Sequence, residues 1–285
     1  MLLTAVGTWA TVGVIRYYIP LDAVPLITLR SLLGIVFLVG ALLVLRSRFD
    51  WDGLKRNARW LLASGVVFCL SWVLLFEAFK HTTVAVAVLC YYMAPIFVML
   101  CAPVFLHESL NIRKVIGIVA AFIGIGCVSG LGQGSSAGVT TEGLLCGLGS
   151  AVFYAAVVLF NKRMTPMDAT SKTLVQLVIT AMILVPYSST LSWPSMDVFT
   201  STVIGLIVML GFVHTGLACA LYFAAIERLP AQTVALYSYF DPILAVLLSA
   251  FVLQEPMSTG TIIGTVLVLG GAFIGETRPR RTKAV

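Results

Sequence analysis

Charge is what this sequence has least of. Asp, Glu, Lys and Arg make up 11% of its 285 residues, against roughly a quarter in soluble domains. Apolar residues reach 60% and the mean hydropathy is +1.03. A chain so poor in charge cannot cover a water-facing surface, which excludes a soluble enzyme or a soluble nucleic-acid-binding domain. The alternating pattern of a membrane barrel is also lacking. The apolar runs are long and continuous, as in helices that cross a bilayer. The six cysteines (Cys69, Cys90, Cys101, Cys127, Cys146, Cys219) lie inside apolar runs, and none forms a C-x-x-C pair. They read as small packing residues, not as a disulfide framework or a metal site. The sequence has no H-E-x-x-H, no paired acids sharing one span and no Ser/His/Asp set, so it does not read as an enzyme. Gly124-Ile125-Gly126 follows no strand and is no dinucleotide fingerprint. No cofactor and no metal are expected.

What is present is a segment that occurs twice. LCYYMAPIFVMLCAPVFLHE runs from Leu89 to Glu108, and LYSYFDPILAVLLSAFVLQE from Leu236 to Glu255. One offset of 147 aligns Tyr92 with Tyr239, Pro95 with Pro242, Glu108 with Glu255, Gly117 with Gly264 and Gly124 with Gly271 without a gap. An aromatic, a proline, an acid and two glycines in one register mark an internal repeat.

Polar breaks divide the chain into ten apolar spans, at about 2–19, 24–45, 59–79, 83–106, 112–131, 142–161, 171–190, 200–226, 231–253 and 259–275. Each can cross about 30 Å of hydrocarbon at about 1.5 Å per residue. The opening stretch lacks a basic n-region and a convincing cleavage site, so it reads as a first transmembrane helix. It is short before Arg16, so the helix continues through Tyr17 and Tyr18 or the native start lies upstream. All basic residues except Arg16, Arg30 and Lys80 fall at one set of ends. The positive-inside rule puts those ends, and both termini, in the cytoplasm. The net charge of +6 is therefore a topology signal, not a footprint for nucleic acid. The expected fold is an all-α polytopic membrane protein. Ten transmembrane helices form two inverted five-helix repeats, 1–131 and 142–275, joined by an extracytoplasmic connector at 132–141 and followed by a basic cytoplasmic tail at 276–285. Five is odd, so the second repeat enters the membrane upside down, a plan common among secondary transporters.

Ten spans in two inverted fives, the paired blocks YYMAPIFVMLCAPVFLHESL and SYFDPILAVLLSAFVLQEPM, and PLITLRSLLGIVFL with its arginine together resemble the EamA family of the drug/metabolite transporter superfamily. The resemblance covers essentially the whole chain. It implies a carrier of small metabolites or drugs in the inner membrane, with a central cavity lined by helices 1, 3, 4, 6, 8 and 9.

Ionisable groups inside a membrane each need a reason. Arg30 sits seven residues into the second span, where it snorkels, pairs with an acid or meets a substrate carboxylate. Glu77, with Lys80 and His81 on the same helix face, reads as an interfacial ion pair or as a titrating acid at a cavity rim. His214 lies mid-helix among Leu210, Gly211, Leu217 and Ala218. It bonds a backbone carbonyl, contacts substrate or changes protonation. Asp241 precedes Pro242 and has Ala94 as its counterpart in the first copy, so the repeat is symmetric in shape and asymmetric in charge. It pairs structurally or binds a proton or an amine. On an unbroken helix Tyr237 and Ser238 share its face. Trp9, Tyr91, Tyr92, Tyr154, Tyr222 and Tyr237 offer aromatic walls to an amphipathic or cationic ligand. Glu108 and Glu255 read as caps for the helices that follow them.

The expected function is secondary transport of a small amphipathic metabolite such as an amino acid, by alternating access and in the export direction. His214, Asp241 and Glu77 are the candidates for proton coupling. Multidrug or cation efflux, or facilitative metabolite transport, is the alternative. A membrane-embedded enzyme or a receptor fits less well. The expected partners are the small-molecule substrate and the lipid bilayer, in a monomer or weak homodimer.

Overall fold

The computed structural model describes residues 1–105, 110–129, 139–226, 229 and 231–276, with the side chains of 223, 224, 226, 231, 232, 235, 236 and 276 left out. Glu108, Gly130, most of the expected connector and the basic tail lie outside the described residues.

The described residues are almost wholly helical, and named strands are lacking among them. The chain opens with α1 (Leu2–Ala10) and α2 (Val12–Tyr17), one rod interrupted at Thr11. Next come α3 (Ala23–Val44), α4 (Trp51–His81), α5 (Val84–Tyr91), α6 (Ala94–Phe105) and α7 (Ile112–Val128). The second part holds α8 (Thr141–Arg163), α9 (Ala169–Ser188), α10 (Ser201–Met209), a π-helical stretch (Leu210–Leu217), α11 (Ala218–Ile226), α12 (Ala231–Ser238), α13 (Phe240–Phe251) and α14 (Thr259–Glu276). Among the described residues, six helical segments are long and apolar enough to cross a membrane: Ala23–Val44, Trp51–His81, Val84–Phe105, Thr141–Arg163, Ala169–Ser188 and Ser201–Tyr222.

Several of these bounds differ from the sequence reading. The polar break between the spans at 24–45 and 59–79 ends at Asp50, because its carboxylate accepts from the Gly53 N–H at 2.7 Å and starts α4 early. This bond, and another from the Asp168 N–H, hold the Asp50 carboxyl below its ordinary range. The two repeated segments are each broken, at Tyr92–Met93 and at Tyr239. Pro95 and Pro242 explain the breaks. Neither carries an N–H, so the carbonyls of Tyr91 and Ser238, four residues earlier, lose their helical donors. The breaks fall at equivalent positions under the offset of 147.

Contacts gather the helix ends into two groups. At one end Lys80 meets Asp22 at 2.8 Å, Thr82 bridges to Val139, and the Glu255 carboxylate accepts from the Val84 N–H. At the other, Asp50 accepts from Asp168 N, Asn57 bonds the backbone at Thr165, and Arg163 donates to the Phe105 carbonyl. α7 and α14 form the most extensive helix pair and pack through glycine. A Cβ on Gly117 would land on the Gly271 carbonyl oxygen, and one on Gly124 would stand 3.0 Å from that of Gly264. The two backbones approach as closely as small residues in membrane helices allow. Their outer faces expose Ile116, Val119, Ile123, Ile263 and Val266.

Candidate functional site

The interior between these helices is not uniformly sealed. Trp9, Tyr91, Tyr92, Tyr154, Tyr222, Tyr237 and Asp241 are all half-buried, while neighbours such as Leu89, Cys90, Met93 and Ala151 are fully buried. Half-exposed aromatic rings on helix segments that meet inside a bundle line a space. Tyr91 packs on Tyr154 with ring centroids 5.0 Å apart and on Tyr92 at 5.9 Å. Trp9 packs on Tyr222 at 5.0 Å.

Asp241 is brought to this space by the break before α13. Its Oδ2 accepts a hydrogen bond from the Tyr92 hydroxyl at 2.6 Å. The acid of the second copy is thus held by the shared tyrosine of the first. Tyr237 packs with Leu2, Val6, Ala225 and Tyr222, near α1 and α11, and stands 6.2 Å from the Phe240 ring.

His214 is 0% exposed. The π-helical stretch widens the turn, so its Nδ1 reaches the Met209 carbonyl five residues back, at 3.1 Å. Across the interface, Nε2 lies 2.8 Å from Thr11 Oγ1, at the point where the first rod breaks. Trp9 Nε1 donates to the His214 carbonyl at 2.8 Å. Thr11 Oγ1 also lies 2.7 Å from the Thr8 carbonyl. Nδ1 faces a carbonyl and so carries a hydrogen. With a neutral ring, the single Thr11 hydroxyl proton serves either Nε2 or Thr8. With an imidazolium, every contact has its own proton. Arg30 lies within electrostatic reach of this ring.

Arg30 does not snorkel. It is 5% exposed, its Nε donates to Thr215 Oγ1 at 2.8 Å, and the Thr215 hydroxyl in turn donates to the Leu210 carbonyl at 2.9 Å. The guanidinium carbon stands 4.1 Å from the Trp72 ring centroid and 5.3 Å from that of Phe76. No carboxylate of the described residues is within ion-pair distance of it. Placing an arginine inside a membrane span costs up to about 3 kcal/mol on insertion scales. A desolvated ring face returns about 2 kcal/mol, and a hydrogen bond from a charged donor about 1.5–3 kcal/mol. These terms balance without an acid. Trp72, Phe76, Thr215 and Thr11 are site residues that the sequence reading missed. The only available signal was the spacing of Trp72 and Phe76, one helical turn apart in a span already expected to line the cavity.

Glu77 stands apart from this group, at the rim. Its carboxylate meets Lys80 at 3.3 Å and His81 Nε2 at 3.1 Å, and His81 Nδ1 reaches Glu142 at 3.3 Å. Lys80 also bonds Asp22, which holds that carboxyl below its ordinary range. Glu255 caps a helix as expected, but not the one that follows it. Its two oxygens accept from the Val84 N–H at 3.1 and 2.8 Å, at the start of α5, and its Oε2 also accepts from the Ser249 hydroxyl. Ala10, Val84, Val88, Ala245, Leu244, Leu248 and Leu253 pack beside it as an apolar plug.

Metal-binding groupings of His, Cys, Asp and Glu are lacking among the described residues.

Comparison with known proteins adds three findings. The sequence model of the EamA-like transporter family matches residues 1–130 and 141–275. An uncharacterized transporter of Bacillus subtilis (strain 168), YxxF, is 27% identical over 231 residues, 81% of this chain and 73% of the relative. Another from the same organism, YwfM, is 26% identical over 99% of this chain and 94% of its own. A third, from Archaeoglobus fulgidus, is 27% identical over 83% of both chains. One solved crystal structure superposes with a TM-score of 0.66 at 21% identity, covering 96% of this chain and 94% of its own, and shows likeness of fold alone.

Proposed function

The chain belongs to the EamA-like transporter family and is a multi-pass transporter of the plasma membrane, and from that premise we propose that it exports a small amphipathic metabolite, in the first place a zwitterionic amino acid, by alternating access. The observation that carries this reading is Asp241. An acid absent from the equivalent position of the other repeat is held on a proline break by Tyr92, among half-buried rings. An acid beside π-faces suits an ammonium group. Trp9, Tyr91, Tyr154 and Tyr222 form the walls, and His214 couples proton movement to the helices it joins. The protein acts as a carrier and not as an enzyme.

The ten-span, two-repeat plan with both termini cytoplasmic belongs to this proposal. Its support is the pair of family matches, the equivalent helix breaks, and contacts that join α3 to α9, α5 to α13 and α7 to α14 across the two repeats. Glu255 and the apolar plug keep one end shut. By the offset of 147, Glu108 stands to Ala231 as Glu255 stands to Val84, so the opposite end has the same device in its sequence. A cysteine replacing Met196, which is 87% exposed, is expected to react with an impermeant maleimide from outside intact cells. Reaction only after permeabilisation contradicts the orientation.

The functional test is leucine counterflow in liposomes, with and without a pH gradient. Asp241→Asn is expected to lower the rate about 10- to 100-fold, since a hydrogen bond to a charged group is worth about 1.5–3 kcal/mol. Wild-type rates in that variant remove Asp241 from the site. Counterflow of a labelled quaternary ammonium compound, without leucine counterflow, favours cation efflux instead.

A further inference from the structure

We propose that Arg30 is the receptor for a carboxylate on the transported molecule, and that Trp72, Phe76 and Thr215 hold it with its recognition edge free. This deepens the transport reading, on which it rests only in calling the carboxylate the substrate's.

A guanidinium has two faces and an edge of five N–H donors. The Trp72 and Phe76 rings stand against the guanidinium carbon at 4.1 and 5.3 Å. Ring faces attract the charge but do not take up the in-plane donors. Along the edge, Nε is committed to Thr215 Oγ1 at 2.8 Å, and Thr215 is itself fixed by the Leu210 carbonyl of the π-helical stretch. The two Nη groups donate to none of the described residues. The side chain is therefore buried, charged and anchored at one point, with a two-pronged fork unspent.

That fork selects its ligand by shape. Two parallel N–H donors match the two oxygens of a planar carboxylate and suit a single-point acceptor less well. Among the described residues no acid of the chain occupies this fork. Tyr91 and Cys219 lie within electrostatic reach of the guanidinium, and Tyr91 also reaches Asp241. A carboxylate on Arg30 thus has Tyr91 next along the wall and Asp241 beyond it, the polarity a zwitterion requires. Trp72 and Phe76 act as positioning residues, since they touch the guanidinium and not the ligand's charge.

The test is calorimetric binding by the purified full chain in detergent, using N-acetyl-L-leucine (anion only), L-leucine methyl ester (cation only) and L-leucine. N-acetyl-L-leucine is expected to bind, and the methyl ester at least ~10-fold more weakly. Arg30→Gln is expected to weaken N-acetyl-L-leucine by about 10- to 100-fold. Arg30→Lys keeps the charge and loses the fork, and is expected to cost at least ~10-fold. It decides the matter if Arg30→Gln fails to fold. Equal binding of ester and N-acetyl compound, wild-type affinity in Arg30→Lys, or no binding of N-acetyl-L-leucine to the wild type overturns the proposal. Leucine counterflow without N-acetyl-L-leucine binding removes the Arg30 site and leaves the transport reading. Binding that Arg30→Lys abolishes, without counterflow, keeps the site and removes that reading.

Discussion

Two helix pairs that are equivalents in the proposed repeat are built in opposite ways. The pair α4–α8 consists of rods of 31 and 23 residues without interruption. Polar side chains tie them and their neighbour α9 from the middle to one end. Ser71 Oγ donates to the Ser150 carbonyl at 2.9 Å, Gln176 to Ser64 Oγ at 2.7 Å and to Asn161 at 3.2 Å, and Asn57 exchanges bonds with Thr165. The counterpart pair is α1–α2 against residues 201–226. One partner breaks at Thr11 and the other passes through a π-helical stretch. A single ring, His214, joins the two defects. The difference teaches that a twofold sequence plan need not give two equal mechanical halves. One pair serves as a strut, and the other is jointed next to the cavity.

His214→Ala is expected to have the largest effect on this contrast. It empties a wholly buried volume and strips a partner from Thr11, a loss of about 2–4 kcal/mol in stability. Denaturation of the purified variant measures it, and unchanged stability would dissolve the joint. Thr11→Val keeps the volume and removes the bridging hydroxyl, for about 1 kcal/mol. It should also alter the pH dependence of counterflow, because His214 Nε2 loses its hydroxyl partner. On the strut, Ser71→Ala should cost about 0.6 kcal/mol, the average for a hydrogen bond between membrane helices, with transport unaltered. A change in the pH dependence of counterflow as large as that of Thr11→Val would erase the distinction. The smallest effect is expected at the rim, where Asp22 is 71% exposed. Its folded carboxyl titrates below the unfolded one. The Lys80 bond therefore stabilises the protein above the ordinary carboxylate range and is lost as pH falls through the lowered value. Solvent screening limits Asp22→Asn to about 0.3 kcal/mol at neutral pH, and acid titration of thermal stability in both proteins checks it.

Much of the scaffold was legible in the sequence because it rests on composition and register. Charge scarcity announced the membrane, and the offset of 147 set Pro95 and Pro242 in one register, but the apolar pattern runs on through both prolines and reads each segment as one unbroken span. The π-helical stretch was not legible. LGFVHTGL carries no proline and no residue that forces a five-residue turn, and the turn is held by partners on other helices. Asp241 was legible as an asymmetry with Ala94, but its bond to Tyr92 crosses 149 residues of chain and no local pattern encodes it. The cap from Glu255 to α5 was hidden for the same reason. Arg30 stood out by its charge alone. Its clasp by Trp72 and Phe76 depends on how α3 and α4 cross, which helical spacing within either one does not reveal.

The strut-and-joint account is tested most directly by paired spin-label distances in liposomes, with and without saturating leucine. One pair of labels replaces Tyr18 at the end of α2 and Phe251 at the end of α13. The other replaces Leu70 on α4 and Leu145 on α8. All four positions are exposed. The account predicts that leucine shifts the Tyr18–Phe251 distance distribution and leaves the Leu70–Leu145 distribution unchanged. A fixed first distance beside a shifting second would contradict it.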